Sequence, residues 1–361
     1  MEALSSQLEM EQRVEGRTPD VLDEGGSTGR QPAPTLDEVA RVSGVSRAAA
    51  SRALNGRGGV RDDVRERVRH VAASLGYRPN RSAQNLAGGR ASVIGLVMPS
   101  EELQLDLYGA SILQAVADAA DRHDQGLMLH LTRTEPSRAV GDMMRDGLID
   151  GVIVSAKALG RRWVDEVLDA GMPTVLIGGR TDRRGVHAVV VENVRSVGQL
   201  VEHLHEEGCR RIAHVRGPAN RADALERERG YLEALGRLGL PVLSELIVDG
   251  DFTRESGRRV TPSLLEHRPD AIVAANDEMA IGTMHAIEAA GRSVPGDVCV
   301  VGFDGTEPHG VAITTARQPF ADMGELAVRT LIGVIAGHEV PNEQVVEPTI
   351  VITATSLRRN D

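Results

Sequence analysis

Arg47, Ser51, Arg52 and Asn55 recur along Arg47-Ala-Ala-Ala-Ser-Arg-Ala-Leu-Asn55 at a spacing that sets them on the outer side of a helix. Side chains of these types suit nucleic acid. An arginine pairs with guanine O6 and N7 in the major groove, and short polar residues hold phosphates. Arg47 is the predicted base reader. Ser46, Ser51, Arg52 and Asn55 are predicted to hold phosphates and fix register, while Ala48 offers only a methyl to a thymine. A second group of polar and aromatic residues stands near short apolar runs. Asn276 and Asp277 follow Ala271–Ala275, Asp304 follows Val298–Phe303, and Phe252 follows Leu246–Asp249. Tyr108 comes after the long loop that follows the first run, and Arg227 follows Gly217-Pro218 at the opening of a helix. Ligands of parallel α/β sheets bind beyond the carboxyl ends of the strands, so these residues are candidate ligand contacts. Each has an ordinary alternative. Arg227 is four residues from Asp223, the spacing of an exposed ion pair; Asp304 suits a loop cap; the phenylalanines suit a core.

Enzyme chemistry finds little support. No G-x-G-x-x-G follows an apolar run, and there is no G-x-x-x-x-G-K-S/T loop or Gly-x-Ser-x-Gly elbow. Lys157 is the only lysine. His203-Leu-His-Glu-Glu207 has metal-binding residue types, but positions i and i+2 diverge on a helix and no third ligand is near. Cys209 and Cys299 share no short spacing and read as reduced, small apolar residues outside any zinc site or disulfide framework. The expectation is no enzyme, no metal and no cofactor.

The elements that position the first group are three helices. Leu36–Ser43 buries Leu36, Val39 and Ala40, with a small alanine where a second helix crosses. Gly44 supplies the left-handed turn, Val45 plugs the junction, and Ser46 is a good N-cap. Ala50, Ala53 and Leu54 then face inward. Val64, Val68, Val71 and Leu75 form the stripe of a third helix that Gly76 and Pro79 stop. This is a helix-turn-helix on a three-helix core. From Val93 the period changes. Val93–Met98, Leu127–Leu131, Gly151–Val154, Thr174–Ile177, Ile212–Val215, Ala271–Ala274 and Val298–Val301 read as buried strands. They alternate with helices at Ser111–His123, Trp163–Ala170, Val194–Glu207, Ala224–Leu238, Asp277–Ala290 and Asp322–Ala336, with Trp163 packing its helix on the first sheet. Such alternation gives parallel sheets, and its length suits two similar α/β halves.

Composition agrees. The 361 residues, with 41% apolar and 26% charged side chains, fit a globular chain of two or three domains. A net charge of −11 alone argues against nucleic acid, but residues 31–90 hold 11 arginines against 5 acids, a local +6. Residues 1–33 are Glu-, Gly-, Ser-, Thr- and Pro-rich without a period and read as a disordered tail. No apolar run approaches the roughly 18 residues of a membrane span, and the N-terminus lacks a secretory pattern. A cytoplasmic protein is expected.

Leu36–Asn55, Leu75-Gly-Tyr-Arg-Pro-Asn80, Ala83-Gln-Asn-Leu-Ala-Gly88 and Val93-Ile-Gly-Leu-Val97 together resemble the LacI/GalR family of bacterial transcription regulators. The likeness continues through Gly208-Cys-Arg-Arg-Ile-Ala213, Gly217-Pro218, Ala224–Tyr231, Ala275-Asn-Asp277, Val300–Asp304 and Thr314–Pro319. It implies a hinge helix over Arg81–Ala87 that forms on DNA, where Leu86 wedges a base step. Thr35, Tyr77 and Asn80 join the implied DNA contacts. In the cleft, Arg227, Asn276 and Asp304 match polar effector contacts, and Tyr108, Phe252 and Phe320 match apolar walls. Aromatic faces beside such polar groups suit a sugar. Ile177-Gly-Gly-Arg180 resembles a segment of some sugar-responsive members, and equally suits a turn or a position beside a second protomer. The sequence departs from the family at Ala49 and Ala50, where Thr and Val are usual, at Arg61 in place of a serine cap, and at Gly305 in place of a second acid. Ala50 lowers packing volume in the head, and Asp62 or Asp63 is expected to replace the cap.

The expected organisation is a tail at 1–33, a helix-turn-helix domain at 34–80, a hinge at 81–91 and a core of two periplasmic-binding-protein-like subdomains at 92–358. The expected function is a homodimeric regulator, a repressor, binding a pseudo-palindromic operator under control of a small-molecule effector. No heptad pattern precedes Asp361, so a dimer is expected over a tethered tetramer. Two alternatives stay open: a ligand-independent DNA-binding regulator, and a solute-binding protein of the periplasmic type.

Overall fold

The computed structural model describes residues 34–54, 59–77, 91–100, 107–132, 146–155 and 171–358. The expectations for the tail at 1–33, for Asn55, Asn80 and Lys157, for the hinge helix with Leu86, and for the helix carrying Trp163 lie outside the described residues. Contacts divide the chain into two compact units, Met1–Gln84 and Asn85–Asp361.

The first unit contains α1 (Leu36–Ser43), α2 (Arg47–Leu54) and α3 (Asp62–Ser74). Its core is small: Val39, Ala40, Ala50, Ala53, Val68 and Ala72 are buried, with Leu36, Val45, Leu54, Val64, Val71, Leu75 and Tyr77 packed around them. Each alanine lets the helices approach closely. Thr35 caps α1 by accepting from Glu38 N at 3.3 Å. Gly44 takes φ +66°, a conformation costly for any side chain with a Cβ, and turns the chain into α2. Ser46 Oγ accepts from Ala49 N at 3.2 Å, as its cap position predicts. Arg61 caps α3 without a side-chain bond, and Asp62 and Asp63 occupy the positive end of the dipole.

The second unit holds two six-stranded sheets. Those of the first are β1 (Val93–Pro99), β2 (Gly126–Thr132), β3 (Gly151–Ser155), β4 (Thr174–Ile177), β5 (Val186–Val191) and β11 (Glu343–Val346), in the order β11-β5-β4-β3-β1-β2. Every pairing in it is parallel. The second sheet contains β6 (Ile212–Arg216), β7 (Ile247–Asp249), β8 (Ala271–Ala274), β9 (Cys299–Asp304), β10 (Thr314–Arg317) and β12 (Thr349–Val351). Their order is β12-β10-β9-β8-β6-β7, with β12 antiparallel at one edge. Central strands such as β3, β4, β8 and β9 are buried along their whole length, as helices on both faces require. The helices are α4 (Leu107–Arg122), α5 (Asn193–Glu206), α6 (Ala222–Leu238), α7 (Arg254–Glu266), α8 (Asp277–Ala289) and α9 (Phe320–Ile335). The helix starting near Arg227 in the sequence reading opens at Ala222, so Arg227 lies in its second turn.

The chain crosses between the sheets three times: at Glu192 between β5 and α5, at Gln318-Pro319 between β10 and α9, and at Glu347-Pro348 between β11 and β12. The crossings are tied together. Glu192 N donates to Val346 O at 2.9 Å, and Arg195 pairs with Glu347. The two cysteines, far apart in sequence, meet in the second sheet. Both are buried and free. Cys209 Sγ donates to Asp270 O at 3.8 Å and Cys299 Sγ to Ser356 O at 3.7 Å, and the neighbouring Cys299 together with burial raises the Cys209 thiol. His203 bonds Ser356 Oγ at 2.7 Å while His205 faces Arg210, so the two histidines diverge as helical spacing dictates.

Candidate functional site

On α2 the buried face is Ala50 and Ala53, and Arg47, Ala48 and Arg52 are exposed, with Ser51 half-buried. Arg47 keeps 71% of its side-chain surface exposed and makes a 3.4 Å surface pair with Asp37 of α1. Such a pair contributes little and competes weakly with a nucleic acid. Arg52 Nε donates to Ala48 O at 3.2 Å, which lays its guanidinium along the helix surface. Thr35 is committed to its cap. Tyr77 is half-buried against the three-helix core, and burial raises its hydroxyl.

The second site is a narrow cleft, open to solvent, lined by Tyr108, Asp223, Arg227, Phe252, Asn276 and Asp304. Tyr108 comes from α4 beside the first sheet; the other five come from elements around the second. Arg227, with 4% of its surface exposed, is the centre of the polar framework. Nε donates to Asn193 Oδ1 at 3.0 Å, Nη1 donates to Ala275 O at 2.6 Å, and Nη2 lies 3.6 Å from Asp304. Its guanidinium carbon is 3.8 Å from the Phe303 ring centre and 5.9 Å from that of Phe252. Both rings lie within cation–π distance of the guanidinium. The exposed pair between Arg227 and Asp223 does not form: Asp223 is held instead by Arg221, with both nitrogen–oxygen distances 3.2 Å.

Asp304 is fixed from the second crossing, where Gln318 Nε2 donates to Oδ1 at 2.6 Å and Gln318 N donates to Asp304 O at 3.0 Å. Asn276 caps α8 through Met279 N at 3.0 Å and donates Nδ2 to Phe252 O at 2.9 Å. It therefore orders the pocket as well as lining it. Phe252 and Asp304 have φ of +70° and +121°, strained for residues with a Cβ. Strain of about 1–3 kcal/mol per residue is held where surrounding bonds over-determine the backbone. Phe252 has space because residue 217 is glycine: a Cβ there would lie 2.5 Å from the ring. Asp277, almost wholly buried, receives Gly305 N at 2.7 Å, Thr306 N at 2.9 Å and Thr315 Oγ1 at 2.8 Å. Burial pushes its carboxyl up to about 6 against those bonds. Gly305 sits at φ +73°, and any Cβ would strike Arg317 at 2.4 Å, which gives the missing second acid a physical cause. Phe320 stands behind the lining, edge-on to Tyr108 at 5.6 Å. Sequence reasoning missed Asp223 as a lining residue and Asn193 and Gln318 as its supports.

A helix-turn-helix head on a body of two parallel sheets defines the class of transcription regulators with a periplasmic-binding-protein-like body. The pattern of bacterial regulatory proteins, lacI family, matches residues 35–80, and that of the periplasmic binding protein-like domain matches residues 201–356. The HTH-type transcriptional regulator CelR of Thermobifida fusca is 32% identical over 91% of this chain and 98% of its own length. Catabolite control protein A of Priestia megaterium is 29% identical over 88% and 95%. Among solved structures, a lac repressor dimer bound to operator and the anti-inducer ONPF superposes with a TM-score of 0.77 at 28% identity, covering 90% of this chain and 99% of that one. A CelR–cellobiose complex superposes with 0.66 at 30%, covering 89% and 99%. The chain belongs to the lacI family of bacterial regulatory proteins.

Proposed function

We propose that this regulator is a cytoplasmic repressor that grips a pseudo-palindromic operator as a homodimer and is switched by a sugar in the cleft. Residues 34–80 form the reading head in this proposal, 81–91 the hinge, and 92–358 the sensing body. One observation carries the effector reading: residues from both sheets line one cavity that offers two aromatic rings, a guanidinium, an amide and two carboxylates. The rings suit the C–H faces of a pyranose, and the polar groups suit paired hydroxyls. The enclosed room between these residues is about that of one water, so a sugar enters only as the two sheets separate. The CelR–cellobiose complex and a 30% identical ribose operon repressor of Halalkalibacterium halodurans supply two probes.

In the head, Arg47 reads a guanine while Thr35, Ser46, Ser51, Arg52, Asn55, Tyr77 and Asn80 hold register, Ala48 contacts a thymine methyl, and Leu86 wedges a base step. Two heads on a twofold axis read two half-sites. The ligand changes the balance of open and closed sheets, with a coupling of about 1–3 kcal/mol. No residue is assigned a catalytic role. The test is operator affinity on promoter fragments of the source genome, with and without ribose, glucose and cellobiose. One sugar should change affinity by roughly 5–150-fold. Tight, specific binding that no sugar alters would favour a ligand-independent regulator and sink the effector assignment.

A further inference from the structure

We propose that Arg180 is a positioning residue for the cleft: from the first sheet it grips Glu226 of α6 and so sets the separation at which Arg227 meets a ligand. The inference rests on the reading of the cleft as the effector site.

Arg180 stands in the loop after β4. Its Nη1 donates to Glu343 of β11 at 2.6 Å, which anchors it to its own sheet. Its Nε donates to Glu226 Oε1 at 2.9 Å, across on α6 of the second sheet. The other oxygen of Glu226 takes Asn193 Nδ2 at 2.8 Å, and Asn193 Oδ1 takes Arg227 Nε at 3.0 Å. Asn193 directly follows the first crossing. Arg227 reaches Asp304, which Gln318 holds from the second crossing. A continuous line of charge-assisted bonds therefore runs from the rim of the first sheet, through the pocket arginine, to two of the three crossings. Arg180 is the member that joins this line to the first sheet. Its side chain is 39% exposed, so it can change without disturbing a core. The bond is also solvent-screened, so its effect is graded.

Replacing Arg180 by glutamine leaves Glu226 with Asn193 alone and removes the ion pair between α6 and the first sheet. The two sheets should then sample wider separations, and Asn193 should hold Arg227 less firmly. Glu226→Gln should do the same from the other side. Arg180→Lys keeps a charge at Glu226 while losing the fork.

The experiment uses the full chain with spin labels at Asp121→Cys on α4 and Glu266→Cys on α7, both exposed positions, against buried native cysteines. Pulsed electron-electron distances are compared for the parent, Arg180→Gln, Glu226→Gln, the double variant and Arg180→Lys, after equal melting temperatures show that each folds. Each single variant should lengthen and broaden the distribution. The double variant should go no further than either single, because both remove one bond. Arg180→Lys should stay near the parent. Ribose or cellobiose, whichever binds the parent, should bind Arg180→Gln about two- to fivefold more weakly. Superimposed distributions for parent and Arg180→Gln overturn the proposal, as does a double variant that adds the two single effects. If neither sugar binds the parent, the effector reading fails, while the distance comparison still decides the role of Arg180.

Discussion

The head and the cleft place their candidate functional residues in opposite circumstances. On α2, Arg47 is mostly exposed, and its surface ion pair with Asp37 is weak. The core behind it is alanine and valine. In the cleft, Arg227, Asn276 and Asp304 are buried, and each is held by hydrogen bonds within the body. The body behind them has the large side chains Tyr231, Phe303, Leu96 and Ile153. Reading and stability are thus separate properties in the head and a shared property in the cleft. Head residues can change with the operator at little cost to folding, whereas cleft residues cannot change with the ligand unless their partners change too.

Substitutions test that contrast. The largest effect is expected for Arg227→Ala, which leaves buried Asp304 without its cation and Asn193 without a donor. Urea unfolding of the body should lose about 3–5 kcal/mol, and sugar response should vanish with it; unaltered stability would break the contrast. Acid provides the next test. His214, wholly buried, donates from Nδ1 to Val273 O at 2.9 Å and stacks on Tyr231 at 4.8 Å, and burial lowers it to about 4. Its folded value lies below its unfolded one, so its stability contribution is complete above about pH 6.5 and is lost as pH falls toward 4. Body stability should drop by about 3 kcal/mol from this group across that window, and His214→Gln should flatten the profile. A profile unchanged by that substitution would remove His214 as the cause.

Gly217→Ala comes third. Its methyl displaces the Phe252 ring, at about 1–3 kcal/mol, and calorimetry should find the sugar site weakened while operator binding without sugar persists. Arg47→Ala is the reciprocal case. Operator affinity should fall by about 1–3 kcal/mol with loss of base preference, yet melting should shift by no more than about 0.5 kcal/mol. Equal weakening on every sequence would sink Arg47 as the reader. Smallest is Thr35→Ala, which removes a cap and should cost the head about 1 kcal/mol by thermal melting.

What was legible in the sequence follows the same division. The three helices of the head are set by local spacing, and Leu36–Ser43 appears with the predicted limits because Thr35 and Gly44 mark both ends. The central strands were legible as apolar runs. Helix α7 was not, since its buried face includes Ser256, Gly257 and Thr261 and it contains Pro262, leaving no apolar stripe. Edge strands β11 and β12 are short and partly exposed. In the cleft, residue types at strand ends pointed to Arg227 and Asp304, but Asn193 and Gln318 lie 34 and 14 residues from their partners in sequence. No local spacing announces such pairs. The alternative pairing of Asp223 with Arg227 at i−4 is absent because burial turns Arg227 inward to Asp304 and Arg221 takes the Asp223 carboxylate.

The order of strands also bears on synthesis. A ribosome releases β1 to β5 first, but α9, which packs on β3, β4 and β5, and β11, which completes that sheet's edge, emerge only after β6 to β10. At roughly 5–20 residues per second, the nascent sheet keeps a bare apolar face for roughly ten seconds. Any premature stop before Ile335 leaves that face bare for good, exposed to chaperones and to aggregation.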